Sequence, residues 1–395
     1  MTDRARTFED VRRTNLARLL RIVHLEGPQS RARLTAATGL NRSTIADLVA
    51  ELVSLGVVAE LPPAPATRAG RPSPVVAADP AIVAIAANPE VDAITLGAVR
   101  LDGTVVVRRR VEVDHLLSPE EAVGMVVDTM AQWRADELRE ARPIGVGLAV
   151  PGLVRASDGA VRIAPHLGWR DVALRELAES ATGLPVAVGN DASLGAIAEH
   201  LFGAGRGIDD LVYLNGGASG IGGGVIVGGS LLSGLSGYAG EFGQNRPGIP
   251  STADRRAGDG VLEDEVSRAR LLAVARLTVA DDPTLAAALT ERDVPDAAAE
   301  IARQRRILAT ALANAVNVLN PRLIVLGGFL ATIATLGEGA TDQLLDAVRD
   351  QAMPAAAEEV EIRPAALGEN RLLIGAAEAA FTALLDDPVG ALRAT

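Results

Sequence analysis

The 395-residue chain reads as an α/β protein with a small helical head at its amino end. Three observations predict this. Residues 7–55 show three stretches of helical spacing separated by glycine turns. From about Ala81 onward, short apolar runs come first strand after strand, then alternate with helices. Leu214–Gln244 holds twelve of the chain's 40 glycines, threaded with Ile221, Val225, Ile226, Val227, Leu231 and Leu232. Such a stretch reads as short strands and tight turns, with backbone brought close to a neighbour or a ligand.

In the head, Val11, Leu16, Leu19, Leu20 and Val23 put one apolar face on a helix over 7–26, which Gly27-Pro28 stops. Ser30 is placed to cap a short second helix, Arg31 to Thr38. Gly39-Leu40 turns the chain into a third helix, about Asn41 to Leu55, with Ile45, Leu48, Val49, Leu52 and Val53 inward. A short second helix and a glycine turn before the third is the helix-turn-helix pattern, although a plain helical bundle or dimerisation arm shares the spacing. Ser30 and Arg31, then Asn41, Arg42, Ser43 and Thr44 at the opening of the third helix, are the groups able to reach phosphates and base edges. Val57–Leu61 reads as the first strand of a wing. Pro62–Pro74 follows, in which Arg68 and Arg71 flank Gly70. Such a segment suits a narrow DNA minor groove, or is simply an exposed linker.

In the body, Ile82–Ala87, Ala93–Arg100 and Thr104–Val113 read as a meander turning at Asp102-Gly103. A helix over Pro119–Glu140, a strand over Ile144–Val150 ended by Pro151-Gly152, a helix over Leu174–Thr182 and a strand over Pro185–Val188 follow. Helices are then expected around 262–278, 297–319, 341–353 and 370–385, with a strand at Leu323–Leu326. No internal repeat is evident. Asn190-Asp191 falls where a strand passes into a helix, a usual place for ligand contacts in an α/β sheet.

The order Gly189-Asn190-Asp191, then SGIGGGVIVGGSLLSG, then GYAGEFGQ, LEDEVS and VLNPRLIVLGG resembles the ROK family, over roughly residues 10 to 385. That family groups sugar kinases with sugar-responsive transcriptional repressors. The resemblance implies a winged helix-turn-helix over 1–79, a first actin-like (ribonuclease H-like) lobe over 80–189 completed by a helix at 370–395, and a second lobe over 190–369. It also implies that Asn190, Asp191, Glu241 and Glu263 hydrogen-bond sugar hydroxyls, with Gly152, His166 and Gln244 beside them. His166 and Gln244 depart from the family's Asn and His. Asp191 falls at the general-base position of the kinases. Their phosphate loop, Asp-x-Gly-Gly-Thr-Lys, is replaced by Ala87-Asn88-Pro89-Glu90-Val91-Asp92. A second glycine loop at Ala218–Gly222 and Gly327-Gly328 persist, as phosphate contacts or for backbone geometry alone.

Composition bounds the partners. With 0 cysteines and Gln244 at the histidine position, the family's zinc motif is excluded, and neither a metal nor a cofactor is expected. The net charge is −12, yet residues 1–72 carry eleven Arg against seven acids, a basic head on an acidic body. No apolar run is long enough to span a membrane and no signal peptide opens the chain, so a soluble cytoplasmic protein is expected. The expected protein is a transcriptional regulator, a repressor. Its partners would be double-stranded operator DNA and a sugar or sugar-derivative effector, and it would act as a homodimer or homotetramer. Two alternatives stay open: an active sugar kinase with an accessory DNA head, and a repressor whose pocket no longer takes a ligand.

Overall fold

The computed structural model describes residues 2–62, 73–249, 251–258, 260–291 and 295–394. Arg68 and Arg71 lie outside the described residues. Helices α1 (Thr2–Glu26), α2 (Arg31–Thr38) and α3 (Arg42–Ser54) form where their spacing predicts. Ser30 caps α2 by accepting from the Arg33 N–H, and Gly39, at φ 74°, closes it. Leu16, Leu19, Leu20 and Val23 pack on Leu34 and on Ile45, Leu48, Val49 and Leu52. Val11 and Val53, expected inward, are 57% and 40% exposed. Helical geometry explains both. At about 3.6 residues per turn Val11 lies nearly opposite the Leu16–Val23 stripe, and Val53 lies at the margin of its own. Strands β1 (Gln29–Ser30), β2 (Val58–Leu61) and β3 (Val75–Ala78) make an antiparallel sheet in the order β1-β3-β2, so Val75–Ala78, just after the Pro62–Pro74 segment, supplies the second wing strand.

The first lobe opens with β4 (Ile82–Pro89), β5 (Ala93–Arg100) and β6 (Val105–Glu112), the predicted meander. Asp102 accepts the Thr104 N–H and Gly103 takes φ 80°, which fixes the turn. Helix α4 (Pro119–Ala135) stops short of Glu140. After β7 (Arg142–Val150) comes a small sheet absent from the sequence reading: β8 (Leu153–Val154), β9 (Val161–Ala164) and β10 (Trp169–Val172). Helix α5 (Leu174–Thr182) and β11 (Val186–Asn190) complete a five-stranded sheet in the order β11-β7-β4-β5-β6, with β7 parallel to β4 and to β11.

Helix α6 (Asp191–Phe202) leads into the second lobe, whose sheet takes β12 (Leu211–Gly217), β13 (Gly220–Val227) and β14 (Ser230–Leu231). Four helices follow: α7 (Leu262–Glu265), α8 (Arg268–Ala275), α9 (Asp282–Glu291) and α10 (Pro295–Leu319). The single helix expected over 262–278 is thus two, broken where Gln304 takes the Ser267 N–H. Then come β15 (Leu323–Gly328), α11 (Phe329–Thr335), α12 (Ala340–Arg349), α13 (Pro354–Ala357) and β16 (Glu361–Pro364). The order is β14-β13-β12-β15-β16, with β15 parallel to β12 and to β16. Strand for strand this repeats the first sheet: an antiparallel trio, then two parallel crossovers. The fold is therefore the two-lobed actin-like one.

Alternation along the strands separates the cores. Ile82, Ala84 and Ala86 of β4 face one side, with the head and α14 (Arg371–Asp386), and Ile85 and Ala87 face α4. On β12, Val212 and Leu214 face α10, while Leu211 and Tyr213 face α6. Helices α6 and α14 therefore form the middle layer. Ala192 and Ala196 of α6 meet the second sheet, and Leu194 and Ala198 meet α14 and the head's core. A side chain at Gly375 would collide with the Leu194 carbonyl, and one at Gly147 with Ala376, so α14 lies as close as backbones allow to α6 and to β7. Helix α15 (Pro388–Ala394) ends the described chain beside α1.

Candidate functional site

The predicted ligand residues, scattered between Gly152 and Glu263 in sequence, line one cavity of about 380 Å³ between the lobes. Asn190 and Asp191 arrive at the junction of β11 and α6, Gly152 and His166 from the first lobe, and Glu241, Gln244 and Glu263 from the second. Each arrival has a local cause. Asn190 caps α6, accepting from the Ser193 N–H at 2.9 Å, and its amide donates to the Gly152 carbonyl at 3.1 Å. Gly152 is needed because a side chain there would strike Ile163 and Ala164 of β9. Glu263 accepts the Ile221 N–H at 3.2 Å and the Gln244 amide. Gly220 (φ 107°) and Gly243 leave room for that carboxylate, which a Cβ at either position would strike. His166 stands exposed on the turn after β9.

The acids are not neutralised by arginine. Among the described residues, Asp191, Glu241 and Glu263 form no salt bridge, so their carboxylates are not spent on ion pairs. Asp191 bonds to the Ala192 N–H at 2.8 Å. Burial pushes its carboxyl up to about 6, with Glu90 adding to the push. Glu241 is also raised, by burial first and then by Asp191 and Glu263. This set can accept several hydroxyl protons at once from a polyol, and it repels anions.

A larger cavity of about 730 Å³ adjoins the first and shares Asp191, Asn215 and Gly217 with it. Sequence reasoning missed its main features. Asn215 is buried and accepts from both Nη2 and Nε of Arg371, at 2.9 and 3.1 Å. Arg371 opens α14 and also approaches Asp282 at 3.8 Å. Arg110 joins Glu90 and Asp92, at 2.8 and 3.2 Å, in the turn after β4. Burial raises the Glu90 carboxyl, with Arg110 opposing. The available signals were one polar residue in an apolar strand (Asn215) and one arginine at the head of an apolar helix (Arg371).

The glycine run has packing duties. A Cβ at Gly222 would come within 2.7 Å of the Ala192 Cβ, and one at Gly224 within 2.5 Å of the Ala196 Cβ. Close seating of β13 on α6 thus accounts for these two glycines without any phosphate. In the head, Arg42 and Ser43 are exposed at the start of α3. Asn41 is occupied as its cap, accepting from the Thr44 N–H at 2.8 Å and from the Ser43 hydroxyl at 2.7 Å. Ser30 is likewise occupied by its cap, and Arg31 pairs with Glu60 of β2 at 2.6 Å.

The sequence pattern of the ROK family matches residues 91–382. The chain belongs to the ROK family. Among its relatives is a protein named xylose repressor from Caldicellulosiruptor bescii, 25% identical over 375 residues that cover 91% of this chain and 93% of that protein. Another is a glucokinase from Halalkalibacterium halodurans, 32% identical over 59% of this chain and 74% of the kinase. Among solved structures, a ROK-family transcriptional regulator described as a homologue of the E. coli MLC protein superposes with a TM-score of 0.74. It is 22% identical and covers 97% of this chain and 98% of its own. The zinc ion implied by the ROK resemblance does not fit here. Gln244 spends its amide on Glu263, and among the described residues no group of three His, Cys, Asp or Glu side chains could hold a metal ion. No described helix is long and apolar enough to cross a membrane.

Proposed function

We propose that this protein is a sugar-responsive transcriptional repressor of the ROK family. The head binds double-stranded operator DNA through Arg42, Ser43 and Thr44 of α3, with Ser30, Arg31 and Asn41 at the helix openings and Arg68 and Arg71 in the wing segment. The body binds a sugar or sugar derivative through Asn190, Asp191, Glu241, Gln244, Glu263, His166 and Gly152. The units are residues 1–79, 80–189 with 370–395, and 190–369, and the protein acts in the cytoplasm as a homodimer or homotetramer. The observation that carries this reading is the joining of the two parts. The apolar residues of the helix-turn-helix share one continuous core with α14 and with Leu194 of α6, the helix that opens at Asn190-Asp191. A sugar that prefers one lobe arrangement would thereby bias the head.

A kinase is the second reading, favoured by Asp191, whose carboxyl at about 6 suits a general base. Against it, the turn after β4 presents Glu90 and Asp92 with Arg110 between them, where a nucleotide's phosphates need backbone donors. The test is fluorescence anisotropy on the gene's own upstream DNA at two salt concentrations, with and without D-xylose and D-glucose. Sequence-selective, salt-dependent binding changed by a sugar is expected. ATP-dependent phosphorylation of a sugar, abolished in Asp191→Asn, with no selective DNA binding would replace this reading by the kinase.

A further inference from the structure

Residues 251–257 lie a few positions beyond the Glu241–Gln244 corner of the cavity, and something other than a metal must hold them. Their anchor is Arg303 on α10, 2% exposed. All five N–H donors of this guanidinium are used. Nε and Nη2 reach the Glu300 carboxylate at 2.9 and 2.7 Å, Nη1 reaches the Asp254 carbonyl at 2.7 Å and Glu265 Oε2 at 2.9 Å, and Nη2 also reaches the Glu265 carbonyl at 2.6 Å. Glu265, fully buried on α7, in turn accepts the Arg256 and Ala257 N–H groups at 2.9 and 3.0 Å. One cation therefore gathers the loop, α7 and α10, as a bound metal would.

The arrangement has a consequence for the cavity. Helix α7 carries Glu265 and, two residues before it, Glu263. Its Oε2 accepts the Ile221 N–H at 3.2 Å. We propose that Arg303 is a positioning residue that does the work of a structural metal: it clamps the 251–257 segment and, through Glu265, holds Glu263 in the ligand cavity. The sugar half of this inference rests on the proposed function; the clamp does not.

The test uses the full chain, with Arg303→Met and, should that variant fail to fold, Arg303→Lys and Glu265→Gln. Wild-type protein should contain no stoichiometric zinc, and EDTA should leave its melting unchanged; bound zinc or EDTA sensitivity would overturn the proposal. Trypsin should cut after Arg255 or Arg256 at least about tenfold faster in the variants, as expected for a locally opened segment. Arg306→Ala, which removes only the exposed pair with Asp254, should change the rate little. Hydrogen exchange over 217–224 should speed up in the variants, because the Ile221 amide loses its acceptor. Wild-type cleavage and exchange rates in folded variants would overturn the proposal. Where wild type binds D-xylose or D-glucose, the variants should bind it at least about tenfold more weakly with sugar-free DNA affinity unchanged; unchanged sugar affinity would overturn the positioning role. Binding of neither sugar by wild type would count against the proposed function, while the cleavage and exchange results still decide the clamp.

Discussion

The joint between head and body is a buried pair, and breaking it should be costly. His24, near the end of α1, has its Nε2 3.0 Å from Glu378 Oε2 on α14, with the two side chains 1% and 5% exposed. The other ring nitrogen faces the Leu101 carbonyl, which can only accept, so Nδ1 carries a proton. Phe202, at the end of α6, meets the ring edge-on at 5.4 Å. Among the described residues Glu378 Oε1 has no hydrogen-bond partner, so His24 is the carboxylate's main support. His24→Phe keeps an aromatic ring, somewhat larger than the imidazole, and strips that support. Removing one partner of a buried pair costs about 3–5 kcal/mol, whereas replacing both by apolar groups is often near neutral. Glu378→Leu in the His24→Phe background should therefore recover most of the loss. The assay is denaturant unfolding of wild type, both single variants and the double variant, read as a double-mutant cycle. A cost below about 1 kcal/mol for His24→Phe, or a double variant no more stable than that single one, would refute the assignment. The pH dependence has a definite sign. Burial works against the charged ring, but the hydrogen bond and charge of Glu378 and the Leu101 carbonyl outweigh it, so the folded pKa is raised. The contribution is fully present below the unfolded value of about 6.5 and is lost as pH rises through the raised folded value. The head should be docked most firmly in mild acid.

Other positions give separate tests. Asp191→Asn should stabilise the protein above pH 6 and do nothing below about pH 4. Its raised carboxyl favours the protonated form, and that contribution is lost as pH rises through about 6. The shift from 3.8 caps the gain at about 3 kcal/mol, reduced by the water the cavity admits, and melting temperatures at pH 4 and pH 8 would show it. The same variant should weaken sugar binding, measured by calorimetry. Arg42→Ala should lower DNA affinity and flatten its dependence on salt by about one unit of the log–log slope, if Arg42 meets a phosphate. Gly224→Ala should cost about 1–3 kcal/mol by denaturant unfolding, because its methyl would meet Ala196 across the α6–β13 seam.

The head was legible because its signals are local. Ser30 and Asn41 cap, Gly39 and Gly56 take φ 74° and 69°, and the apolar spacing lies within single helices. The first meander was legible for the same reason, at Asp102-Gly103. The small sheet β8–β9–β10 was not, because its strands run two to four residues and carry Arg162, Arg170 and Asp171, so no alternation stands out. The second lobe repeats the first strand for strand, yet the sequence shows no repeat. Burial on both faces asks of a strand only that it be apolar, and that leaves its identity free. Of the cavity residues, Asn190-Asp191 stood out by its place between a strand and a helix, and the others were legible through several motifs in family order. Arg371, Asn215 and Arg303 carried no such mark, since an arginine on a helix is usually a surface residue, and Asp254 and Glu265, two of the three residues that Arg303 bonds, lie in other segments.

Helices α6 and α14 explain how a ligand between the lobes can be felt by the head without any wire of special residues. Both helices begin at the cavities and end at the helix-turn-helix. Helix α6 opens with Asn190 as cap and Asp191 as its first residue, and finishes with Phe202 against His24. Helix α14 opens with Arg371, bonded to Asn215 of the second lobe, carries Glu378 at its middle, and ends at Asp386, paired with Arg21. Asp387, the next residue, pairs with Arg13. Contact at Gly375 leaves no slack between the two helices, so they shift together or not at all. A lobe movement that displaces the second sheet must either break Arg371 from Asn215 or carry α14 with it, and carrying α14 moves the surface on which α1 sits. Under the proposed function, the sugar supplies the difference in affinity between those two arrangements, and the shared middle layer delivers it to the DNA-reading helix.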